Sequence, residues 1–219
     1  MIRNTEAFKE LSKKFRFRKY RKGEMLIRSD DDPLGTFCLT SGYVRKYVIS
    51  PEGSELTFGI LKPISIFPRA WTINNIPNVY NFEAMTEVAA GIAPREVFVK
   101  YIKNKPSILF ELLSSMVDNY AEILSRVEYL ALSDAYHRVV YILIYLAKNF
   151  GEKFGQEIRI KLYFTHQGIA ALTGISRETV SMGLNRLFKK KLIRYYDRHI
   201  VIINIEKLAG ELPRISIQK

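Results

Sequence analysis

The chain has 219 residues, of which 47% are hydrophobic, and 34 Lys+Arg against 22 Asp+Glu give it a formal charge of +12. That length and apolar content exclude a disordered chain and allow one large domain or two small ones, with no metal or disulfide needed to hold a core. The single cysteine, Cys38, excludes a disulfide framework, a four-cysteine iron–sulfur site and a cysteine-rich zinc site. The longest apolar run is the nine residues Val139–Ala147, far short of the ~20 that a membrane-spanning helix needs. The start, Met1–Glu6, has no apolar stretch of signal-peptide length, so a cytoplasmic protein with no membrane partner is expected. The positive surplus favours a polyanionic partner, although a merely soluble basic surface has the same composition. Residues 151–219 hold 13 cations and 6 acids, so the last third is the more basic part.

Up to about residue 100, short apolar runs alternate with turn residues: Glu24–Ile27, Thr36–Leu39, Tyr43–Ile49, Leu56–Leu61, Phe82–Thr86 and Ala89–Ala93. Punctuation at Lys22-Gly23, Asp30–Pro33, Ser41-Gly42, Pro51-Glu52-Gly53 and Asn74–Asn78 predicts an all-β sandwich or barrel, with a hairpin over residues 43–60. Beyond residue 100 the period becomes helical. Leu109, Leu113, Met116, Tyr120, Ile123, Val127 and Leu130 fall at steps of 4 and 3, a heptad stripe on one helix over Ser107–Leu132. Phe110, Val117, Leu124 and Ala131 widen that stripe. It fits either a helix that pairs with a twin copy or an ordinary core helix. Ser133 or Asp134 can cap a second helix, Ala135–Phe150, ended by Gly151 and buried nearly all round, and Glu157–Leu162 reads as a strand.

Function is concentrated in residues 164–187. Thr165 caps a short helix with Ile169 and Leu172 on its inner side and the small Ala170 where a second helix crosses. Gly174 permits a sharp turn, Ile175 plugs the gap, and Ser176 caps a second helix whose inner face is Val180, Leu184 and Leu187. Two short helices with such a turn make a helix-turn-helix. Arg177 and Glu178, in the first turn, suit guanine and cytosine edges. Thr165, Gln167, Ser176, Thr179 and Ser181 suit phosphates or base edges, and Arg186 and Lys189 add charge. Leu192–Tyr196 and His199–Ile203 form a hairpin around Asp197-Arg198, a wing that puts Lys191 and Arg198 beside the DNA backbone. A capped surface helix in water is the alternative for Ser176–Thr179 taken alone.

These segments together resemble the cyclic AMP receptor/fumarate–nitrate regulator superfamily of bacterial transcription factors. Gly174-Ile175-Ser176-Arg177-Glu178-Thr179-Val180-Ser181 is similar to the family's DNA-reading signature. Gly23-Glu24, Leu39–Arg45 and Gly53-Ser54-Glu55 look like the turns of its sensor β-roll, and the heptad helix looks like its dimerising helix. The resemblance implies an α+β chain: a cyclic-nucleotide-binding-like β-roll (jelly roll) over 1–105, a dimerisation helix over 106–132, and a winged helix-turn-helix domain over 133–219. It implies a homodimer on double-stranded DNA, with half-sites ~34 Å apart on an imperfect palindrome, and RNA polymerase as a further partner.

Two departures matter. Met182 stands where the family often has an arginine. In the sensor, Phe67-Pro68-Arg69 and Asn78-Val79-Tyr80 stand where cyclic-nucleotide binders carry Gly-Glu-Leu and the Arg-Ser-Ala phosphate clamp, and Ile123 and Leu124 replace polar groups expected for the base. Cyclic AMP is therefore not expected as effector. Haem is not expected either, since His137, His166 and His199 all lie beyond the β-region, and one cysteine cannot hold an iron–sulfur cluster; no metal or other cofactor is predicted. Phe67, Arg69, Trp71, Tyr80, Phe82, Ile123 and Leu124 are the candidate pocket for an unidentified small effector; alternatively the rings are core. Two other classes compete: a sensor or scaffold acting through protein contacts, and an enzyme. The second has no nucleophile–base pair, metal-ligand cluster or phosphate loop behind it, because Gly-Ile-Ser-Arg-Glu lacks the second glycine of a nucleophile elbow.

Overall fold

The computed structural model describes residue 13 and residues 15–213; the amino-terminal segment read above lies outside them. The chain divides into two compact units, with the boundary between Glu122 and Ile123.

In the first unit, eight strands form two antiparallel four-stranded sheets: β1 (Arg16–Tyr20), β2 (Met25–Ile27), β3 (Thr36–Ser41), β4 (Val44–Ile49), β5 (Glu55–Leu61), β6 (Ile66–Phe67), β7 (Asn81–Ala84) and β8 (Val88–Ala93). One sheet runs β1-β8-β3-β6 and the other β2-β7-β4-β5. Pairing is nested, first strand with last, which is a jelly-roll arrangement. Phe37, Leu39, Phe67, Val88 and Ala90 of one sheet share a buried cluster with Leu26, Ile27, Val44, Phe82 and Ala84 of the other. The six expected strands are present, with ends shifted by one or two residues. β1 and β6 carried no local signal, nor did the short helix α1 (Arg69–Asn74).

Helix α2 (Arg95–Lys103) and the start of α3 (Pro106–Leu132) close this unit. Phe98, Tyr101, Ile102, Ile108 and Leu112 form a second cluster with Phe15, Cys38 and Ile66. Each fully buried side chain of this kind is worth ~1.5–3 kcal/mol against exposure. Helix α3 has 27 residues, and it extends through the boundary between the two units. The expected division made that helix a separate part; the units share it instead.

The second unit is a helical bundle with a small sheet. Asp134, not Ser133, caps α4 (Ala135–Phe150) by accepting from the His137 backbone N–H. Burial along α4 follows its all-round apolarity: Val139, Val140, Leu143 and Leu146 are fully buried. Gly151 ends α4 in extended rather than left-handed backbone. A Cβ there would sit 2.2 Å from the Ala147 carbonyl oxygen, so close approach is what selects glycine. Strands β9 (Gly151–Phe154) and β10 (Glu157–Ile160) follow, then α5 (His166–Thr173), α6 (Arg177–Lys189), β11 (Ile193–Tyr196), β12 (His199–Ile202) and α7 (Ile205–Ala209). The sheet order is β11-β12-β10-β9. Among the described residues no helix is long and apolar enough to cross a membrane.

Candidate nucleic-acid interface

Local chemistry fixes the two short helices. The Thr165 hydroxyl accepts from the Gly168 N–H at 2.9 Å and the Ser176 hydroxyl from the Thr179 N–H at 3.2 Å. Between them Gly174 takes φ 64°, the left-handed conformation that ends α5. Val180, Leu184 and Leu187 are buried on one side of α6. Gly183 lets α6 approach α4 closely, since a Cβ there would lie 3.2 Å from a Val139 methyl. The Ser176 cap therefore sets where α6 begins and which way its first turn faces. Ser176→Ala is expected to destabilise the protein by ~1 kcal/mol, within the 0.5–2 usual for a cap, and Ser176→Thr to restore most of it, as read by denaturant unfolding.

The outward face of α6 carries Arg177, Glu178, Met182, Asn185, Arg186 and Lys189, all exposed. The wing turn holds Asp197 at φ 46° and Arg198 at φ 61°, consecutive left-handed residues of the kind that suit a tight hairpin. Thr165, Gln167, Arg177 and Arg198 converge on one open cleft of about 660 Å³, together with Tyr163, His166 and Tyr195. No carboxylate lines it. Those three rings escaped sequence reasoning; an aromatic in a short polar segment gives no sign of which wall it joins. A second groove brings Arg186 and Lys189 together with Met182, Asn185 and Lys190.

Several expected contact residues have internal duties. The Ser181 hydroxyl donates to the Arg177 carbonyl oxygen at 3.0 Å and lies 2.6 Å from His166 Nδ1, tying α6 to the start of α5. Its exposure is only partial, as is that of Thr179. The Arg186 guanidinium lies 3.9 Å from the Tyr136 ring centroid. Lys190 pairs with Glu211 at 2.5 Å, and the Tyr136 hydroxyl donates to the same carboxylate. Glu211 is thereby held below the usual carboxylate range, chiefly by Lys190 and then by Tyr136. Of the basic run, Lys189 and Lys191 stay exposed at the surface. At the carboxyl end of α3, Arg126 donates to the Leu172 carbonyl oxygen at 2.5 Å, and Tyr129 stacks on Tyr141 at 4.0 Å.

The heptad stripe of α3 is open. Leu109, Leu113, Met116, Tyr120, Ile123 and Val127 are 48–63% exposed, whereas Leu130 is half-buried. An apolar stripe of that length left bare in one copy is unusual for a monomer.

The sensor residues divide. Phe67 and Phe82 are corrected to core positions: each is 2% exposed and the rings stack on each other at 5.0 Å. Ile123 and Leu124 fall in the second unit. Arg69 borders a cleft of about 110 Å³ with Ile66, Thr72, Phe98 and Leu112, well under the roughly 300–1,000 Å³ of common ligand pockets. Tyr80 and Trp71 are half-buried. The Asn78 amide donates to the Tyr80 and Arg28 carbonyl oxygens, closing its own loop.

Residues 17–105 match the model of the cyclic nucleotide-binding domain, and residues 137–211 match that of the Crp-like helix-turn-helix domain. A CRP-like cAMP-activated global transcriptional regulator of Mycobacterium tuberculosis is 28% identical over 173 residues, 79% of this chain and 77% of that protein. The global nitrogen regulator of Synechococcus elongatus is 26% identical over 194 residues, 88% and 87% of the two chains. Among solved structures, a CooA mutant from Carboxydothermus hydrogenoformans superposes with a TM-score of 0.78 at 24% identity, covering 92% of this chain and 89% of that one. The c-di-GMP responsive regulator CLP of Xanthomonas campestris gives 0.79 at 19%, covering 91% and 99%. Both structures share the fold.

Proposed function

Since the chain belongs to the cyclic AMP receptor/fumarate–nitrate regulator superfamily, whose members are DNA-binding transcription regulators and dimers rather than enzymes, we propose that it pairs with a second copy along the open stripe of α3 and reads DNA with the first turn of α6. One observation carries this reading: a serine-capped helix end presents Arg177 and Glu178 beside a cation-lined cleft free of carboxylates. Arginine's fork of donors matches guanine O6 and N7, and a carboxylate accepts from cytosine N4. Gln167, Thr165, Lys189, Lys191 and Arg198 take the backbone, where they set register without reading sequence. Thr179 and Ser181 position α6 from within.

Regulation is through a sensor that does not use cyclic AMP. Pro68 occupies the place of the family's ribose-binding acid, and Asn78-Val79-Tyr80 brings no guanidinium to a cyclic phosphate. RNA polymerase is the downstream partner, in the cytoplasm. The DNA reading is tested by gel shift on promoter fragments over a salt series. Each phosphate neutralised steepens the slope of log affinity on log salt by ~0.9, so a dimer using these cations gives a slope of about −5 or steeper. A slope near zero, or equal binding to all fragments, removes the reading in favour of a scaffold working through protein contacts.

A further inference from the structure

His166 opens α5 between Thr165 and Gln167, and all three line the cleft that also holds Arg177 and Arg198. Its ring is oriented by α6. Nδ1 lies 2.6 Å from the Ser181 hydroxyl, and that hydroxyl donates to the Arg177 carbonyl oxygen at 3.0 Å. A hydroxyl has a single hydrogen to give. With it spent on Arg177, Ser181 accepts from the ring, and Nδ1 carries the hydrogen. Nε2 is left over, and among the described residues it has no partner. The two ring nitrogens point away from each other, so Nε2 is the atom that this half-buried ring offers to whatever enters the cleft.

The charged and titratable groups around the ring are few. α6 contributes Arg177, the wing turn Arg198, β11 Tyr195, and the segment before α5 Tyr163. Glu178 and Asp197, the acids adjoining the two arginines in sequence, are not among the lining residues. The nearby His199 of β12 meets the Tyr163 ring edge-on at 6.4 Å and holds its own Nδ1 2.7 Å from the Asp197 carbonyl oxygen. A neutral His166 with its hydrogen on Nδ1 presents a lone pair at Nε2, the wrong polarity for a phosphate oxygen. The imidazolium presents an N–H and a positive charge there, and keeps the Ser181 bond unaltered. A backbone phosphate held in this cleft therefore favours the charged ring.

We propose that His166 contacts a backbone phosphate in the DNA complex and enters that complex as imidazolium: each protomer takes a proton from solvent onto Nε2, and a phosphate oxygen accepts from it. Nδ1–H stays on Ser181, so the charged ring joins α5, α6 and the DNA backbone in one chain of hydrogen bonds that ends at the Arg177 carbonyl. That chain anchors the first turn of α6, where Arg177 and Glu178 stand, at the moment of binding. The contact itself carries no sequence information; it makes operator affinity a function of pH. It rests on the DNA reading proposed above. Histidine changes charge between about pH 5 and pH 8. The charged form is the one that binds, so affinity is greatest on the acid side and falls as pH rises through that range.

The full-length protein is titrated with promoter fragments at constant salt from about pH 6 to pH 8. Affinity is expected to fall by about tenfold or more across that range, and the salt slope to flatten by ~0.9 for each phosphate contact given up. His166→Gln, neutral at every pH, should bind with the alkaline affinity throughout. His166→Arg, charged at every pH, should hold the acid affinity throughout. His199→Gln and His137→Gln should respond as the unaltered protein does. Calorimetry in two buffers of different ionisation enthalpy counts the protons directly, because the apparent binding enthalpies then differ in proportion to the protons taken up. A ring that only ties α5 to α6 gives instead a flat profile, the same enthalpy in both buffers, and a lowered melting temperature in both His166 variants. A flat profile beside selective DNA binding sinks this inference alone, as does a full pH response in His166→Gln. No shift of any fragment at any pH removes the regulator reading and this contact with it.

Discussion

Replacing Tyr120 and Val127 together by glutamate is expected to halve the sedimenting mass and to weaken specific DNA binding by about 10²–10⁴-fold, the range expected when two linked contacts become one. Both side chains are more than half exposed, 63% and 53%, so neither is a core residue whose loss would unfold its unit. They occupy stripe positions in which successive apolar residues fall three or four apart, the spacing that keeps one face of a helix toward a partner. Two carboxylates per copy place four negative charges in one seam, and taking even one charge out of water without a partner costs several kcal/mol. The monomer that results still carries a complete helix-turn-helix. It should therefore retain weak, salt-sensitive binding to any duplex. Analytical ultracentrifugation and gel shift measure the two effects independently. A variant that sediments as a dimer and binds the same operator equally well would remove α3 from the interface.

The α3 stripe was readable because a heptad is a one-dimensional signal, and three repeats of it override local noise. Gly174 and Ser176 were readable for a related reason: a left-handed turn and an N-cap each demand a residue type at one position. β1 was invisible because its partner is far away in sequence. Arg16 pairs with Ile92 and Tyr20 with Val88, and Arg-Phe-Arg-Lys-Tyr offers four exposed residues for one buried. An edge strand of that kind has no apolar period to detect. The sensor was partly misjudged on similar grounds. Phe67 and Phe82 sit in short apolar runs, and nothing in such a run distinguishes a core ring from a pocket wall. At the DNA end, residue types indicated what Ser181 and Arg186 could bind, but not that His166 and Tyr136 already engage them.

The second large effect falls on α6. Arg177→Ala combined with Glu178→Ala should leave the dimer and its melting nearly unchanged, since both side chains are exposed and the α6 cap is made by Ser176. Discrimination between the operator and random DNA should nevertheless collapse. A well-formed base contact is worth ~1–3 kcal/mol against the wrong base, and a dimer inserts the helix twice. The loss of Arg177 alone then amounts to about 2–6 kcal/mol per dimer, a drop of roughly 30-fold or more in preference. Lys189→Ala with Lys191→Ala supplies the contrast. Those side chains meet phosphates, so their loss should weaken every sequence alike and flatten the salt slope by ~1 per contact. A competition gel shift across two salt concentrations separates the patterns. Equal operator preference in the Arg177/Glu178 variant, or a sequence-selective loss in the lysine variant, would exchange the roles of the two groups. Met182 sharpens this test. At 72% exposure it stands on the same face of α6 as an apolar, uncharged group, suited to the thymine methyl and unable to grip a phosphate. Met182→Arg should therefore add affinity for all duplexes and steepen the salt slope without restoring a preference lost at Arg177.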